Sequence, residues 1–263
     1  MTWRRSRLPL LALPLLALGL LALSGCGDVG EPRADAAGGR VLSVPNPPTQ
    51  ARTTPARDRR AASPSAGRLT VHVTRPVRLR ATPGGAVVGG VLPKTEFRSD
   101  TILPVVRQQD GWLGVISKQL PNARIGWIAP NAHLVSYRTR WSIAVSLGRR
   151  EVVVRHSGNV VQRFRVAVGG PSTPTPTGRF AVTDKLLTHD PASVYGCCIL
   201  ALSAHQPNTP QGWGGGDRVG IHATNLPETI GTAASLGCLR APAEEARRLV
   251  RAIPLGTVVR IRA

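Results

Sequence analysis

Cys238 stands in the run Ser235-Leu236-Gly237-Cys238-Leu239-Arg240, and His222 lies upstream with fifteen residues between them. A thiol and an imidazole brought together supply a nucleophile and the base that takes its proton. Attack on a carbonyl then has three requirements. The sulfur must lose its proton, because a free cysteine with a pKa of about 8.5 is only a few per cent thiolate at neutrality. The base must hold that proton, and hydrogen-bond donors must await the oxyanion. Gly237 lets the backbone turn tightly beside the sulfur, so the amides of Gly237 and Cys238 are candidate oxyanion donors. Ser235 is placed either to hydrogen-bond the base or to brace the turn. Leu239 is expected to pack inward. Arg240 is expected to fix the loop or to meet a substrate carboxylate bidentately.

The elements that must position these residues read mostly as strands. Leu69, Val71 and Val73 alternate, and short apolar runs follow at Val77-Leu79, Val87-Val88, Val91-Leu92, Leu103-Val106, Trp112-Ile116 and Gly126-Ile128, cut by turns at Pro83-Gly84-Gly85 and Asp110-Gly111. Many short strands at close spacing suggest a small barrel. A second β-rich unit opens at Trp141. Val152 and Val154, the turn Ser157-Gly158-Asn159, and then Val161 and Phe164 read as a hairpin. Ala246, Leu249, Val250 and Ile253 fall on one helical face after Pro242, with Glu244 and Glu245 first and Arg247, Arg248 and Arg251 later, the order the helix dipole favours. Thr257, Val259 and Ile261 make a last strand. The fold class is mainly β, a small barrel followed by a β-sandwich with one helix near the C-terminal side.

The N-terminus reads as a signal rather than fold. Arg4, Arg5 and Arg7 precede the apolar run Leu8–Leu23, and Ser24-Gly25-Cys26 follows. Leu23-Ser24-Gly25-Cys26 resembles a bacterial lipobox. The resemblance implies cleavage after residue 25 and lipid on Cys26, each buried CH₂ of which contributes about 0.8 kcal/mol to membrane attachment. Residues 26–67 form the anchored linker. Rich in Pro, Ala, Arg, Thr, Ser and Gly, the segment cannot bury enough apolar surface to offset its ordering entropy. As a coil it spans about 35 Å.

The net charge is +20, carried by arginine, since Lys94, Lys118 and Lys185 are the only lysines. An export signal and the absence of a basic-aromatic motif argue against nucleic acid, and an anionic cell envelope is the more economical partner. The expected site is the outer face of the cell membrane and the wall above it.

Cys197 and Cys198 are adjacent and Cys238 stands apart, which is not the framework of a disulfide-rich secreted domain. Cys197 and Cys198 are expected as small apolar strand residues near the site, and Cys238 as a reduced thiol. His189, Cys197, Cys198, His205 and His222 lack the paired spacings of zinc modules, so no metal is expected.

Two family resemblances join these readings. Val77-Arg78-Leu79-Arg80 with Pro83, Val88-Gly89, Asp110-Gly111-Trp112-Leu113-Gly114-Val115 and Gly126-Trp127-Ile128 resemble the landmarks of a bacterial SH3-like domain, placed at 68–137. That family binds wall peptides or acts as a spacer. The second unit, 138–263, resembles the L,D-transpeptidase (YkuD-like) catalytic domain. Val168-Gly169, Thr175-Pro176-Thr177-Gly178-Arg179-Phe180, Tyr195-Gly196, Ile221-His222, and Ser235, Gly237, Cys238, Leu239 and Arg240 occur in that family's order. Leu236 stands where the family usually has His, and Ala223 where Gly often follows the upstream histidine. The resemblance implies peptidoglycan 3→3 cross-linking, with Cys238 as nucleophile, His222 as general base and acid, and Ser235, Gly237 and Arg240 in support. It implies donor and acceptor stem peptides as partners, acylation by carbapenem-type inhibitors, and no cofactor. Water as acceptor gives L,D-carboxypeptidase activity. A non-catalytic, wall-binding envelope lipoprotein is the alternative from another class.

Overall fold

The computed structural model describes residues 67–188, 190, 192–209 and 216–263. The expected signal, Cys26, the linker up to residue 66 and His189 lie outside the described residues.

Seven strands make the first unit: β1 (Arg68–Val73), β2 (Val77–Arg80), β3 (Val87–Val91), β4 (Ile102–Gln109), β5 (Trp112–Val115), β6 (Gly126–Ile128) and β7 (Leu134–Thr139). Their order in the sheet is β3-β2-β6-β5-β4-β1-β7, antiparallel throughout. Alternation decides what is buried. Val71, Val73, Leu79, Val115 and Ile128 are fully buried and share one core with Leu103 and Val105. Strands from across the sheet meet in that core, so the sheet curls around it. Asp110 and Gly111 both take positive φ, 47° and 80°, which is the twist a two-residue hairpin needs between β4 and β5. Trp127 is buried and Trp112 half-buried, so both serve packing. β7 pairs with β1 along its whole length, Arg68 facing Thr139 and Val73 facing Leu134, and so runs across the expected 137/138 boundary.

The second unit holds β8 (Trp141–Ser146), β9 (Glu151–His156), β10 (Asn159–Arg165), β11 (Gly178–Leu187), β12 (Cys198–His205), β13 (Arg218–His222), β14 (Leu239–Arg240), α1 (Ala243–Ala252) and β15 (Val258–Arg262). Their order is β10-β9-β8-β15-β11-β12-β13-β14, with β8·β15 and β13·β14 parallel. β11 serves both halves. Gly178–Ala181 pair with β15, and Val182–Leu187 pair with β12, with a register shift between Val182 and Asp184. Val152, Val154 and Phe164 from one half share a core with Leu200, Leu202 and Ile221 from the other, so the halves face each other as a sandwich. Helix α1 buries Ala246, Leu249 and Val250 against β12 and β13. Leu249 is fully buried, and Leu249→Ala carries a cost of about 2–5 kcal/mol.

Polar side chains lock the two units together. Thr95 hydrogen-bonds Asp184, and Glu96 pairs with Arg218 and Lys118. Asn122 donates to the His205 carbonyl at 2.7 Å and accepts from the His205 amide at 2.9 Å. The two His205 ring nitrogens face the Lys118 carbonyl at 2.8 Å and the Asp217 carboxylate at 2.7 Å. Asp184 is fully buried, and Arg218 meets it at 3.1 Å while donating from Nε to the Leu202 carbonyl at 2.8 Å. Burial works to raise the Asp184 carboxyl. The hydroxyls of Thr95 and Thr183 and the Arg218 charge outweigh it and hold the carboxyl below its ordinary range.

Candidate active site

The parallel pair β13·β14 brings the two candidate residues together. Ile221 faces Leu239 and His222 faces Arg240. One step back along that register sets Cys238 beside Gly220, and the Gly220 amide donates to the Cys238 sulfur at 3.4 Å. Side chains two apart on a strand share a face, so His222 lies on the face of Gly220, diagonal to the sulfur. Parallel pairing needs a long crossover, and the fifteen-residue segment between His222 and Cys238 supplies it.

The ring of His222 is buried, and its Nδ1 faces the carbonyl of Ala223. A carbonyl can only accept, so Nδ1 carries the hydrogen and Nε2 keeps the lone pair. Ala223 is itself fixed, its amide donating to the Cys198 carbonyl at 3.1 Å. The Tyr195 ring meets the imidazole edge-on, with centroids 4.9 Å apart. Gly196, at φ +57°, lets that loop approach, since a side chain there would meet the Ala223 Cβ at 2.5 Å.

Burial sets the charge states. It pulls the His222 pKa down to about 4, with the Ala223 hydrogen bond working against the shift and the Arg240 charge working with it. Burial pushes the Cys238 thiol up, against the Gly220 N–H and the Arg240 charge. The resting pair at neutral pH is therefore a thiol and a neutral imidazole.

The turn before the sulfur is held from several sides. Ser235 Oγ accepts from the Gly237 amide at 3.2 Å and donates to the Cys238 carbonyl at 2.5 Å, which makes Ser235 a brace for the turn. Thr173 donates to the Ser235 carbonyl at 3.3 Å and Thr175 to the Gly237 carbonyl at 2.9 Å. Gly237 has φ +114°, and a Cβ there would meet the Gln206 side chain at 2.9 Å, so both conformation and space require glycine. One expectation changes. The Gly237 amide is engaged by Ser235 and is not available to an oxyanion. Among the described residues no acceptor takes the Cys238 amide, which leaves it as the donor beside the sulfur.

Arg240 is tied by its backbone to Ala167 at 2.9 and 3.1 Å, and its Nη1 reaches the Thr229 hydroxyl at 3.4 Å. Among the described residues no carboxylate pairs with it. Leu236 is 57% exposed, its carbonyl held by the Thr209 hydroxyl at 2.7 Å.

Cys197 and Cys198 depart from the strand-packing expectation. They are joined to each other by a disulfide, while Cys238 is free. Cys198 still opens β12 as a buried residue, but Cys197 lies outside the strand. His205 sits at the far end of β12 from the row where Ile199 faces His222. Among the described residues no three His, Cys, Asp or Glu side chains gather in a way that would hold a metal ion.

Several residues of the site carry no signal of their own in the sequence. Gly220, Gln206 and the carbonyl of Ala223 act through backbone position or shape. Thr175 belongs to the Thr175-Pro176-Thr177-Gly178 run, where the spacing marks a motif but not the bond to Gly237.

Matched against protein-family models, the chain fits the L,D-transpeptidase catalytic domain, YkuD, over residues 140–261. A Bacillus subtilis protein named as an L,D-transpeptidase, YkuD, is 32% identical over 125 residues, which cover 48% of this chain and 68% of that protein. Its namesake in Bacillus licheniformis is 32% identical over 131 residues, 50% of this chain and 68% of that one. Among solved structures, an Enterococcus faecium L,D-transpeptidase crystallised as a cysteine-to-serine mutant aligns at 23% identity with a TM-score of 0.34, over 46% of this chain and 49% of that one. This chain thus spans about half of the Enterococcus protein.

Proposed function

Since this chain belongs to the YkuD family of L,D-transpeptidase catalytic domains, we propose that it cross-links peptidoglycan stem peptides through a thioester on Cys238. The observation that supports this most is the β13·β14 register, which sets the Cys238 thiol beside Gly220 and diagonal to a buried, neutral imidazole whose Nε2 is unprotonated.

The chemistry follows from those charge states. With the thiol raised and the imidazolium strongly acidic, a standing ion pair is disfavoured, so proton transfer accompanies attack. Cys238 Sγ bonds to the carbonyl carbon at the L-centre of the third stem residue, and its proton passes to His222 Nε2. The Cys238 amide faces the oxyanion. The carbon–nitrogen bond to the terminal D-Ala then breaks, and the imidazolium returns its proton to the leaving amine. A side-chain amine of a neighbouring stem attacks the thioester, gives up a proton to His222 and forms the 3→3 link. The thiol is restored. Water in place of that amine makes the same enzyme an L,D-carboxypeptidase. Arg240, without a carboxylate partner, is suited to a substrate carboxylate. Carbapenems are expected to acylate the same sulfur.

Lipid on Cys26 and the 26–67 linker would hold the catalytic unit out from the membrane toward the wall, with the first β unit as an SH3-like spacer or wall-peptide module. The test is turnover of a disaccharide-tetrapeptide by the full chain. Release of D-Ala with formation of a 3→3 dimer supports the proposal. Retained binding to sacculi without D-Ala release would point to a non-catalytic wall protein.

A further inference from the structure

A second charged site lies away from Cys238. Between the first β unit and the second sheet runs a cleft of about 410 Å³, lined by Arg124, Arg179, Arg260 and Arg262 with Ile125 among its apolar walls. The four arginines come from the β5–β6 connection, β11 and β15. Among the described residues no carboxylate lies within 4.0 Å of any of them.

The arrangement works against stability. Arg179 and Arg260 are direct cross-strand partners, and like charges in that position repel. A fold optimised for itself would place an acid at one of the two. Charge held at a cost to the fold, with no partner among the described residues, marks a site whose counter-charge comes from outside. Along the register Asp184–Ala201–Gly220 to Cys238, Arg179 lies five residues and three strands from the sulfur, roughly 20 Å, so the cleft is separate from the candidate active site.

We infer that this cleft binds a linear phosphodiester polymer of the cell envelope. Guanidinium groups match phosphate oxygens bidentately. Arg260 and Arg262 share a strand face about 6.8 Å apart, a spacing that suits successive charges along a phosphodiester chain. Spread over two strands and a connection of an open cleft, the four charges fit a chain better than a single ion. Among the described residues no aromatic side chain lines the cleft, so it lacks the stacking platforms that single-stranded nucleic acid uses. The choice of an envelope polymer rests on the exported, wall-facing reading above, whereas the arginine cleft stands without it. Bound there, the polymer would hold the chain against the wall while leaving Cys238 open.

The test uses the full chain in detergent, with fluorescently labelled polyphosphate as probe and binding read by anisotropy. Arg179→Gln with Arg260→Gln is expected to weaken binding at least tenfold and to flatten the log–log salt dependence by about 1–1.5. The same pair is expected to leave the melting temperature of the free protein unchanged or higher, since a repulsion is removed. Arg78→Gln with Arg107→Gln, exposed arginines outside the cleft, is expected to change binding less than twofold. Equal losses in the two pairs would overturn the site in favour of diffuse charge. Poly-glutamate of matched charge binding as tightly as polyphosphate would overturn the phosphate assignment. Inorganic phosphate competing as well per phosphate as the polymer would overturn the chain. Arg124→Gln, outside both strands, carries the same test should the double variant fail to fold, with a loss of several-fold expected and no loss contradicting the inference.

Discussion

Glu96, in the connection before β4, forms an ion pair with Arg218, the first residue of β13, two positions from Gly220 and four from His222. The first β unit is thereby fastened to the strand that carries the candidate base. Arg218 also meets the buried Asp184 and the Leu202 carbonyl, so the strand is held from both units at one point.

Removing the two carboxylates should have unequal effects. Glu96→Gln leaves Arg218 with Asp184 and is expected to cost about 1–2 kcal/mol. Asp184→Ala leaves the Arg218 guanidinium buried with its inner partner gone, a cost of about 3–5 kcal/mol. Urea unfolding checks both. Equal costs would mean that Asp184 is not the principal partner.

The depressed His222 pKa makes stability depend on pH in a defined window. The folded value is about 4 and the ordinary one 6.5, so the unfolded chain binds more protons between them. This contribution is complete above pH 6.5 and is lost as pH falls toward 4, amounting to roughly 3 kcal/mol. His222→Gln should flatten the fall in stability between pH 6.5 and 4. An unchanged profile would show that His222 is not buried in its neutral form. The acid limb of kcat/KM should likewise lie well below the ordinary histidine range.

Cys238 is expected to behave as a thiol in the resting protein. Its alkylation rate should rise with pH to a midpoint above the ordinary cysteine value, because burial outweighs the Gly220 hydrogen bond and the Arg240 charge. A midpoint near neutrality would instead reveal a standing thiolate–imidazolium pair.

Ser235→Ala removes the acceptor of the Gly237 amide and the donor to the Cys238 carbonyl. The turn should loosen, with kcat reduced about 10–100-fold, KM little changed, and stability lower by about 1–2 kcal/mol. Ser235→Thr keeps the hydroxyl and should recover part of the rate. A large rise in KM with kcat intact would assign Ser235 to substrate binding.

Much of this is legible in residue order. Alternation in Leu69-Val71-Val73 and the period of Ala246, Leu249, Val250 and Ile253 mark elements that the structure contains, because burial on one face leaves a periodic trace. Cys238 and His222 are legible as reactive types, and strand pairing sets them on one face, Cys238 beside Gly220 and His222 diagonal to it. What sequence does not carry is backbone chemistry. The donation from Gly220 to the sulfur, the Ala223 carbonyl on the imidazole and the capture of the Gly237 amide by Ser235 depend on register and turn geometry, not on residue type. The Cys197–Cys198 bond escapes a sequence reading for a related reason, since neighbouring cysteines read equally well as two thiols. The contacts of Thr95 and Glu96 with Asp184 and Arg218 span about 90 to 120 residues of chain, beyond any local pattern.

The central claim is that Cys238 is the acylated nucleophile. Intact-mass and peptide mapping of the full chain after incubation with a carbapenem tests it most directly. The account predicts one adduct, mapped to Cys238, absent from Cys238→Ala and formed far more slowly in His222→Gln. An adduct that persists in Cys238→Ala, or that maps to Cys197 or Cys198, would contradict it.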